Sequence, residues 1–258
     1  MVGAITNHID VAQIVLYAFF IFFIGLVVYL RREDRREGYP LVSEVAGQSS
    51  VTEGLIQSTA APKEFRLHDG TSTFAPHDET DDREIMAEPV AGHTGAPLVP
   101  TGDPMADGVG PAAYSMRRDV PDVTLHGDPK ITPLRAVPDF SIDEESPDPR
   151  GMSVIGCDGA QAGTVSDVWI DRTEFLVRYL EVTTAGDEGR SVLLPMPLAV
   201  VSAGSGQVKV DSVTAEQFGR APGTQNPDQV TFLEEDRISA YFASGHLYAT
   251  PARQEPLL

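Results

Sequence analysis

Three carboxylates lie close together in the sequence, around the turn that joins two predicted strands. Asp167 and Asp171 belong to the first strand, residues 163–171, and Glu174 stands just before the second, residues 175–183. Grouped carboxylates can pass protons, and their proton affinities are often shifted at functional sites. An acidic turn is also an ordinary way to keep a protein surface soluble. From the residues alone, both interpretations stay open.

Other patterns that could support catalysis or metal binding are weak. The six histidines show no helical metal-ligand spacing, and the single cysteine, Cys157, excludes an intramolecular disulfide and a thiolate metal cage. The sequence has neither a G-x-S-x-G nucleophile elbow nor a phosphate-binding loop. Gly108-x-Gly110-x-x-Ala113 looks like a dinucleotide fingerprint, but no strand precedes it and Pro111 indicates a loop. An enzyme is therefore the hypothesis with the least support.

The element that positions the rest of the chain is an uncharged stretch of twenty residues, 11–30. As a helix it is roughly 30 Å long, the thickness of the hydrocarbon core of a bilayer. Apolar side chains cover every face, unlike the single apolar stripe of a soluble helix. Asp10 is the predicted N-cap, with Gln13 as its capping-box partner. The stretch predicts a single transmembrane helix.

The charges around this stretch predict its orientation. Four arginines follow it within residues 31–36, whereas no Lys or Arg precedes it. The positive-inside rule then places residues 1–10 in the periplasm and the C-terminal side in the cytoplasm, with the arginines near anionic lipid headgroups. A cleaved signal peptide would need a basic start, a shorter apolar core and a small-residue cleavage site, and none is present.

The charge of the remaining chain excludes one class of partner. The net charge is -19, and both residues 31–105, with 7 basic and 14 acidic groups, and residues 106–258, with 12 and 23, are acidic. Nucleic-acid binding relies on basic surfaces, so we expect no nucleic-acid partner.

Residues 38–105 do not have the pattern of a packed domain, because their apolar runs are short and broken by Gly, Pro, Ser, Thr and Asp. Residues 64–67 and 72–74, joined across His68-Asp69-Gly70, predict one β-hairpin. The remainder fits either a disordered linker or a segment laid over another protein.

Beyond Met152 the sequence is rich in short apolar runs separated by turn signals. Six runs predict strands over 153–157, 163–171, 175–183, 191–195, 199–202 and 207–213. Strands at this spacing predict a small antiparallel barrel or sandwich. Residues 232–248 predict a helix with acidic residues in its first turn.

Several longer motifs follow one another along the chain. They are Tyr29-Leu30, Arg36-Glu37-Gly38-Tyr39-Pro40-Leu41, Pro100-Thr101-Gly102-Asp103-Pro104-Met105, Asp107-Gly108-Val109-Gly110-Pro111-Ala112, Arg117-Arg118-Asp119 and Leu233-Glu234-Glu235-Asp236. Together they resemble the H subunit of the photosynthetic reaction centre of purple bacteria, a family whose large domain is a PRC-barrel. The resemblance runs over nearly the whole chain, and the motifs stand in the family's order.

The resemblance implies a single transmembrane α-helix followed by a mainly-β cytoplasmic domain, a small antiparallel PRC-type barrel with a C-terminal helix. We expect a periplasmic N-terminus over 1–10 and the transmembrane helix over 11–30. An extended cytoplasmic tether with a short hairpin is expected over 31–105, and the cytoplasmic PRC-barrel domain over 106–258.

The resemblance also implies a function. The H subunit is a non-catalytic subunit in the photosynthetic inner membrane that caps the cytoplasmic face of the L and M subunits, stabilises the quinone sites and assists proton delivery to the secondary quinone. Bacteriochlorophyll, bacteriopheophytin, quinones and non-haem iron are expected on L and M rather than principally on this chain. Membrane lipids and light-harvesting antenna are further expected partners. The alternative is a membrane-tethered PRC-barrel adaptor that binds an unrelated cytoplasmic protein.

Three residues of the predicted strands carry a role by resemblance. Asp171 and Glu174 fall on family positions in the proton network beneath the secondary quinone, and Arg178 matches a charged neighbour there.

His126 matches a histidine at the family's proton entrance, where some members bind divalent metal through two histidines and an aspartate. Here Thr124 replaces the aspartate and Asp128 stands in place of the second histidine. We therefore expect proton uptake at His126 and Asp128 but no high-affinity zinc site.

Overall fold

The structure, a computed structural model, describes residues 10–39, 59–77, 81, 83–93, 95–186 and 189–254. The chain divides into two compact units, residues 1–82 and 83–258, which are taken in turn. Residues 1–9 of the expected periplasmic N-terminus and 40–58 of the expected tether lie outside the described residues. The predicted domain limits therefore stay predictions.

The first unit begins with a long apolar helix, α1, Val11–Glu33. Asp10 is its N-cap and accepts a hydrogen bond from the backbone nitrogen of Gln13 at 2.7 Å, while the Gln13 side chain donates to the Tyr17 hydroxyl instead of completing a capping box. No residue of the helix is buried, and its apolar window has a mean hydropathy of 2.6. Length and composition make α1 a candidate membrane span, and it continues three residues beyond the predicted end at Leu30.

The same unit contains the predicted hairpin. Strands β1, Lys63–Arg66, and β2, Ser72–Ala75, pair antiparallel. Asp69 stabilises the turn because its carboxylate accepts hydrogen bonds from the backbone nitrogen and hydroxyl of Thr71. Gly70 has a φ of +83°, a left-handed conformation that glycine adopts without steric cost. The hairpin prediction is confirmed.

Arg36 joins the end of α1 to the ends of the hairpin. Its guanidinium donates two hydrogen bonds to the carboxylate of Glu33, at 2.7 and 2.8 Å. A third nitrogen reaches the carbonyl oxygens of Ala61 and Ala75, at 2.8 and 2.7 Å. Arg36 is thus engaged within its own unit.

The second unit is built on a seven-stranded sheet. It contains β5 (Ile131–Pro133), β6 (Ser153–Ile155), β7 (Gln161–Asp171), β8 (Leu176–Thr184), β9 (Ser191–Pro195), β10 (Val200–Ser202) and β11 (Gln207–Lys209). The order is β10-β11-β6-β7-β8-β9, and β5 pairs with the last three residues of β7, 169–171. A separate hairpin pairs β3, Ala87–Pro89, with β4, Leu98–Pro100.

This sheet confirms the predicted mainly-β fold, with two differences in detail. Among the described strands the sheet is open, because β9 and β10 do not pair. One pair, β11 with β6, is parallel, while the others are antiparallel. The reason is the 3₁₀ turn Met196–Leu198, which carries the chain from β9 to β10 without reversing it, so that β11 arrives parallel to β6.

Two short helices, α2, Pro104–Asp107, and α3, Ala215–Phe218, precede helix α4, Phe232–Tyr248, which closes the core and has the predicted limits. Thr231 and Glu234 form a reciprocal capping box at its start. The ring of Phe242 lies 5.2 Å from that of Phe218 on the short helix α3, Ala215–Phe218. Gly245 is required at its position, since a Cβ there would overlap the carbonyl oxygen of Ser212.

Candidate functional site

The turn between β7 and β8 is built by the carboxylate of Asp171. One carboxylate oxygen accepts hydrogen bonds from the backbone nitrogen of Thr173 at 2.9 Å, its hydroxyl at 2.7 Å and the backbone nitrogen of Glu174 at 3.0 Å. Asp171 is only 1% exposed. The interpretation of this turn as a solvated acidic surface therefore does not fit Asp171, which the turn encloses because it satisfies the backbone there.

Lys130 approaches this turn from a distant part of the chain, just before β5. Its Nζ lies 3.4 Å from the second oxygen of Asp171, 3.6 Å from Asp122 Oδ2 and 3.8 Å from Glu174 Oε1. We call Lys130, Asp122, Asp171 and Glu174 the Lys130 cluster. Backbone bonds hold the lysine on both sides, because its nitrogen donates to the Asp122 carbonyl and its carbonyl accepts from Arg172.

The charges of the Lys130 cluster stabilise one another. Burial alone would raise the pKa of Asp171, but the hydrogen bonds from Thr173 and Glu174 and the charge of Lys130 outweigh it, so the pKa is lowered. Burial alone would lower the pKa of Lys130, and the neighbouring carboxylates raise it. Buried Asp171 is thus held as a carboxylate and Lys130 as an ammonium.

The three carboxylates form a series from interior to solvent. The side chain of Asp171 is 2% exposed, that of Asp122 31% and that of Glu174 53%. A proton from bulk water can therefore reach Glu174 directly, while Asp171 stands behind it within the same cluster. Such a series of acids around one cation is chemically suited to taking up and passing on protons.

His126 and Asp128 lie in the tight turn that leads to Lys130. The Thr124 nitrogen donates to the Asp128 carbonyl at 2.8 Å, and the His126 nitrogen donates to the Thr124 hydroxyl at 3.3 Å. Both site residues are exposed, and the Asp128 carboxylate lies 3.8 Å from Arg172. No group of three or more metal-ligating side chains occurs among the described residues. The roles of His126 and Asp128 stay predictions.

Arg178 lies on β8 and belongs to a different set of neighbours. Its charge acts on Glu235, which accepts a hydrogen bond from the hydroxyl of Tyr179 at 3.0 Å. Burial raises the pKa of Glu235, although this hydrogen bond and the charge of Arg178 oppose the increase. Arg178 has no ion pair within the Lys130 cluster among the described residues.

Asp167 is separated from the Lys130 cluster and belongs to a second ion cluster, centred on Arg135. The Asp167 carboxylate accepts hydrogen bonds from the backbone nitrogen and guanidinium of Arg135, at 3.2 and 3.1 Å. The guanidinium also pairs with Glu181 and with Asp228. We call these four residues the Arg135 cluster. Asp167 and Asp171, which are close in the sequence, thus belong to two separate clusters in the structure.

Neither of the two central cations, Lys130 and Arg135, was predicted from the sequence. Lys130 and Arg135 flank the short strand β5. This strand pairs antiparallel with the end of β7, so that Ile131 lies opposite Asp171 and Pro133 opposite Trp169. The available signal was the short run 131–134, apolar except for Thr132 and bounded by one cation on each side.

Comparison with known families gives two matches along the chain. The photosynthetic reaction centre H-chain N-terminal region matches residues 3–136, and the PRC-barrel domain matches residues 143–217. The first match alone covers more than half of the chain.

The chain belongs to the photosynthetic reaction centre H-chain family.

Membership confirms the resemblance inferred from the motifs and assigns the chain as a structural subunit of the photosynthetic reaction centre, associated with the L and M subunits. The H chain is part of a complex that carries cofactors. With α1 as its candidate span, it is a single-pass membrane subunit. The first match includes His126, Asp128 and Lys130, and the second includes Asp171, Glu174 and Arg178.

Proposed function

We propose that this H chain caps the cytoplasmic face of the L and M subunits, stabilises their quinone sites and assists proton delivery to the secondary quinone. The observation that supports proton delivery is the Lys130 cluster, in which an exposed acid, Glu174, stands beside a buried one, Asp171. The pigments, the quinones and the non-haem iron belong to L and M in this proposal.

The chemistry requires a protein route for protons. When a semiquinone anion accepts one electron and one proton, the proton has to cross protein that excludes bulk water. Glu174 takes a proton from water in this proposal, and Asp171 and its neighbours carry it inward. His126 and Asp128 act earlier, at the exposed turn, and Arg178 balances charge on β8. The acidic surface of the domain increases the local proton concentration.

The proposal includes an orientation and a division of the chain. Residues 1–10 face the periplasm, 31–105 form an extended cytoplasmic segment on the partner subunits, and 106–258 form the cytoplasmic barrel domain. The four arginines after α1 support this orientation. Protease added to intact right-side-out spheroplasts should leave the large domain uncut, and its loss under those conditions would refute the orientation.

The adaptor hypothesis is not favoured, because the H-chain match covers the span and the segment that follows it, over residues 3–136, and not the barrel alone. Antenna and lipid contacts remain part of the proposal for the assembled complex.

Replacing Glu174 by glutamine tests proton delivery. The change removes a transferable proton but preserves the shape of a side chain that is 53% exposed, so we expect unchanged pigment content and a stability change within about 0.5 kcal/mol. Electron transfer that forms the first semiquinone should keep its rate, whereas the second, proton-coupled transfer should slow about tenfold. Flash-induced absorbance of the purified complex over a pH series measures both turnovers.

Glu216→Gln is the matched control. Glu216 is an exposed carboxylate of α3 that pairs with Arg220. It lies outside the Lys130 cluster, so its loss should change neither turnover. The double variant Asp171→Asn with Glu174→Gln removes both acids of the turn. Second-flash rates equal to those of the parent complex in the single and the double variant would reject the proton role.

A further inference from the structure

The Glu174 carboxylate is held less firmly than its neighbour. Asp171 accepts three hydrogen bonds from the turn in addition to its ion pair. Glu174 forms one salt bridge in the described part of the chain, the 3.8 Å pair with Lys130. The position of the exposed acid therefore depends on the lysine.

Lys130 itself is fixed from several directions. Two backbone hydrogen bonds connect it to Asp122 and Arg172, and two of its carboxylate partners are less exposed than Glu174. Its ammonium is a compact charge that three acids share, without the planar double contact that an arginine makes. One cation against three carboxylates leaves the cluster with a net negative charge, so the lysine limits the repulsion among the acids.

We propose that Lys130 is a positioning residue, which holds Glu174 beside Asp171 and sets the pH at which the cluster takes up the proton that it passes on. This inference rests on the proposed role in proton delivery. It adds a residue to that role, with a stated function: the lysine acts through the carboxylates and does not itself transfer the proton.

The expected direction follows from electrostatics. Without the ammonium, the acids repel one another, and the cluster takes up its proton at higher pH, because the charge of Lys130 helps to lower the pKa of Asp171 in the intact domain. The other charged groups around the cluster are Asp128, Arg172, Arg178 and Glu235, with His126 on the outer turn. All of them remain in a Lys130 variant, so the shift reports the lysine.

The test uses the complete reaction centre with Lys130→Met, Lys130→Gln and Lys130→Arg. The pH at which the second electron transfer has fallen to half of its low-pH rate should move upward by about one unit in the first two variants. It should return towards the parent value in Lys130→Arg, which restores the charge. Lys130→Gln keeps a polar side chain, so it answers the question if Lys130→Met does not assemble.

Arg220→Met is the control for net charge. Arg220 also pairs with two carboxylates, Asp103 and Glu216, but on other elements. The Arg220→Met variant should leave the pH profile of the second electron transfer unchanged. An equal shift in Arg220→Met would overturn the inference, because it would show an effect of total charge alone. An unshifted profile in both neutral Lys130 variants would also overturn it.

A second readout separates this inference from the proposed function. The infrared carbonyl band of the protonated acids of the turn, assigned by its loss in the Asp171→Asn, Glu174→Gln double variant, should appear at higher pH in Lys130→Met than in the parent complex. If Glu174→Gln and the double variant leave the second turnover unchanged, the proposed function fails. The same infrared titration then still decides whether Lys130 controls proton uptake by the cluster, and an unmoved band overturns that claim.

Discussion

Two ion clusters lie along the same strand, β7, and have the same composition of one cation and three acids. Each includes one buried aspartate of β7, Asp167 in the Arg135 cluster and Asp171 in the Lys130 cluster. Each also includes one acid that is more than half exposed, Asp228 and Glu174 respectively. Composition therefore does not distinguish them, and the geometry of the contacts does.

The cation differs between the two. Arg135 donates directional hydrogen bonds to Asp167 and Glu181 and to the carbonyl oxygen of Pro227. Glu181 is fixed further by the indole of Trp169 at 2.8 Å and the hydroxyl of Ser191 at 2.7 Å. The contacts of Lys130 are ion pairs at 3.4 to 3.8 Å. A guanidinium fork specifies a fixed geometry, whereas an ammonium allows its partners to move.

We propose that this difference gives the two clusters separate roles. The Arg135 cluster connects β7, β8 and the loop at Pro227, so it stabilises the fold. The Lys130 cluster has the looser contacts that a group exchanging protons with water requires. Similar charges on one strand thus give a structural element in one place and a candidate for chemistry in the other.

The largest expected effect is the loss of stability in Arg135→Met. The change leaves buried Asp167 and partly buried Glu181 without their cation, which should lower the free energy of unfolding by about 2 kcal/mol, less than for a fully buried pair because Arg135 is 41% exposed. Lys130→Met should cost about half as much. Urea unfolding of the purified full-length chain in detergent measures both, and Trp169, the single tryptophan, reports on the core.

If Lys130→Met lowered the free energy of unfolding more than Arg135→Met, the contrast between the two clusters would be refuted. Arg150→Met is the matched control for the arginine, since Arg150 pairs with Asp148 in an exposed two-residue contact. It should change stability by less than about 0.5 kcal/mol.

A smaller effect is expected for Asp171→Asn, and it should depend on pH. The folded state lowers the pKa of Asp171, so its carboxylate contributes stability above its unfolded pKa, and this contribution is lost as the pH falls through the lower folded pKa. Urea midpoints of the parent chain should therefore fall between about pH 5 and pH 2 more steeply than those of Asp171→Asn. Parallel curves for the two chains would show that the ionised form of Asp171 does not stabilise the domain.

The strongly patterned elements could be predicted from the sequence. Helix α4 has the predicted limits because a capping box at Thr231 defines its start. The six predicted strands correspond to β6 through β11, with the largest error in β11, which ends at Lys209 rather than at residue 213. The missed strands β3, β4 and β5 have three residues each, and each ends in proline. Runs of that length carry no readable alternation.

The site could be predicted only in part, for a related reason. Asp171 and Glu174 are neighbours in the sequence, so their turn was found directly. Lys130 reaches them through the pairing of β5 with β7, a long-range contact that a missed strand cannot reveal. The burial of Asp171 was also unreadable, because a carboxylate in a turn gives no sign of whether it faces water or the backbone of its own loop.

Arg36 has a consequence for the order of events during synthesis. The charge bias that orients a membrane helix acts on residues next to the span, while the hairpin that later binds Arg36, beginning at Lys63, has not yet been made. The same guanidinium can thus act first as a topogenic charge and afterwards hold the hairpin by donating hydrogen bonds to the carbonyl oxygens of Ala61 and Ala75. The two roles do not exclude each other, because they follow one another in time.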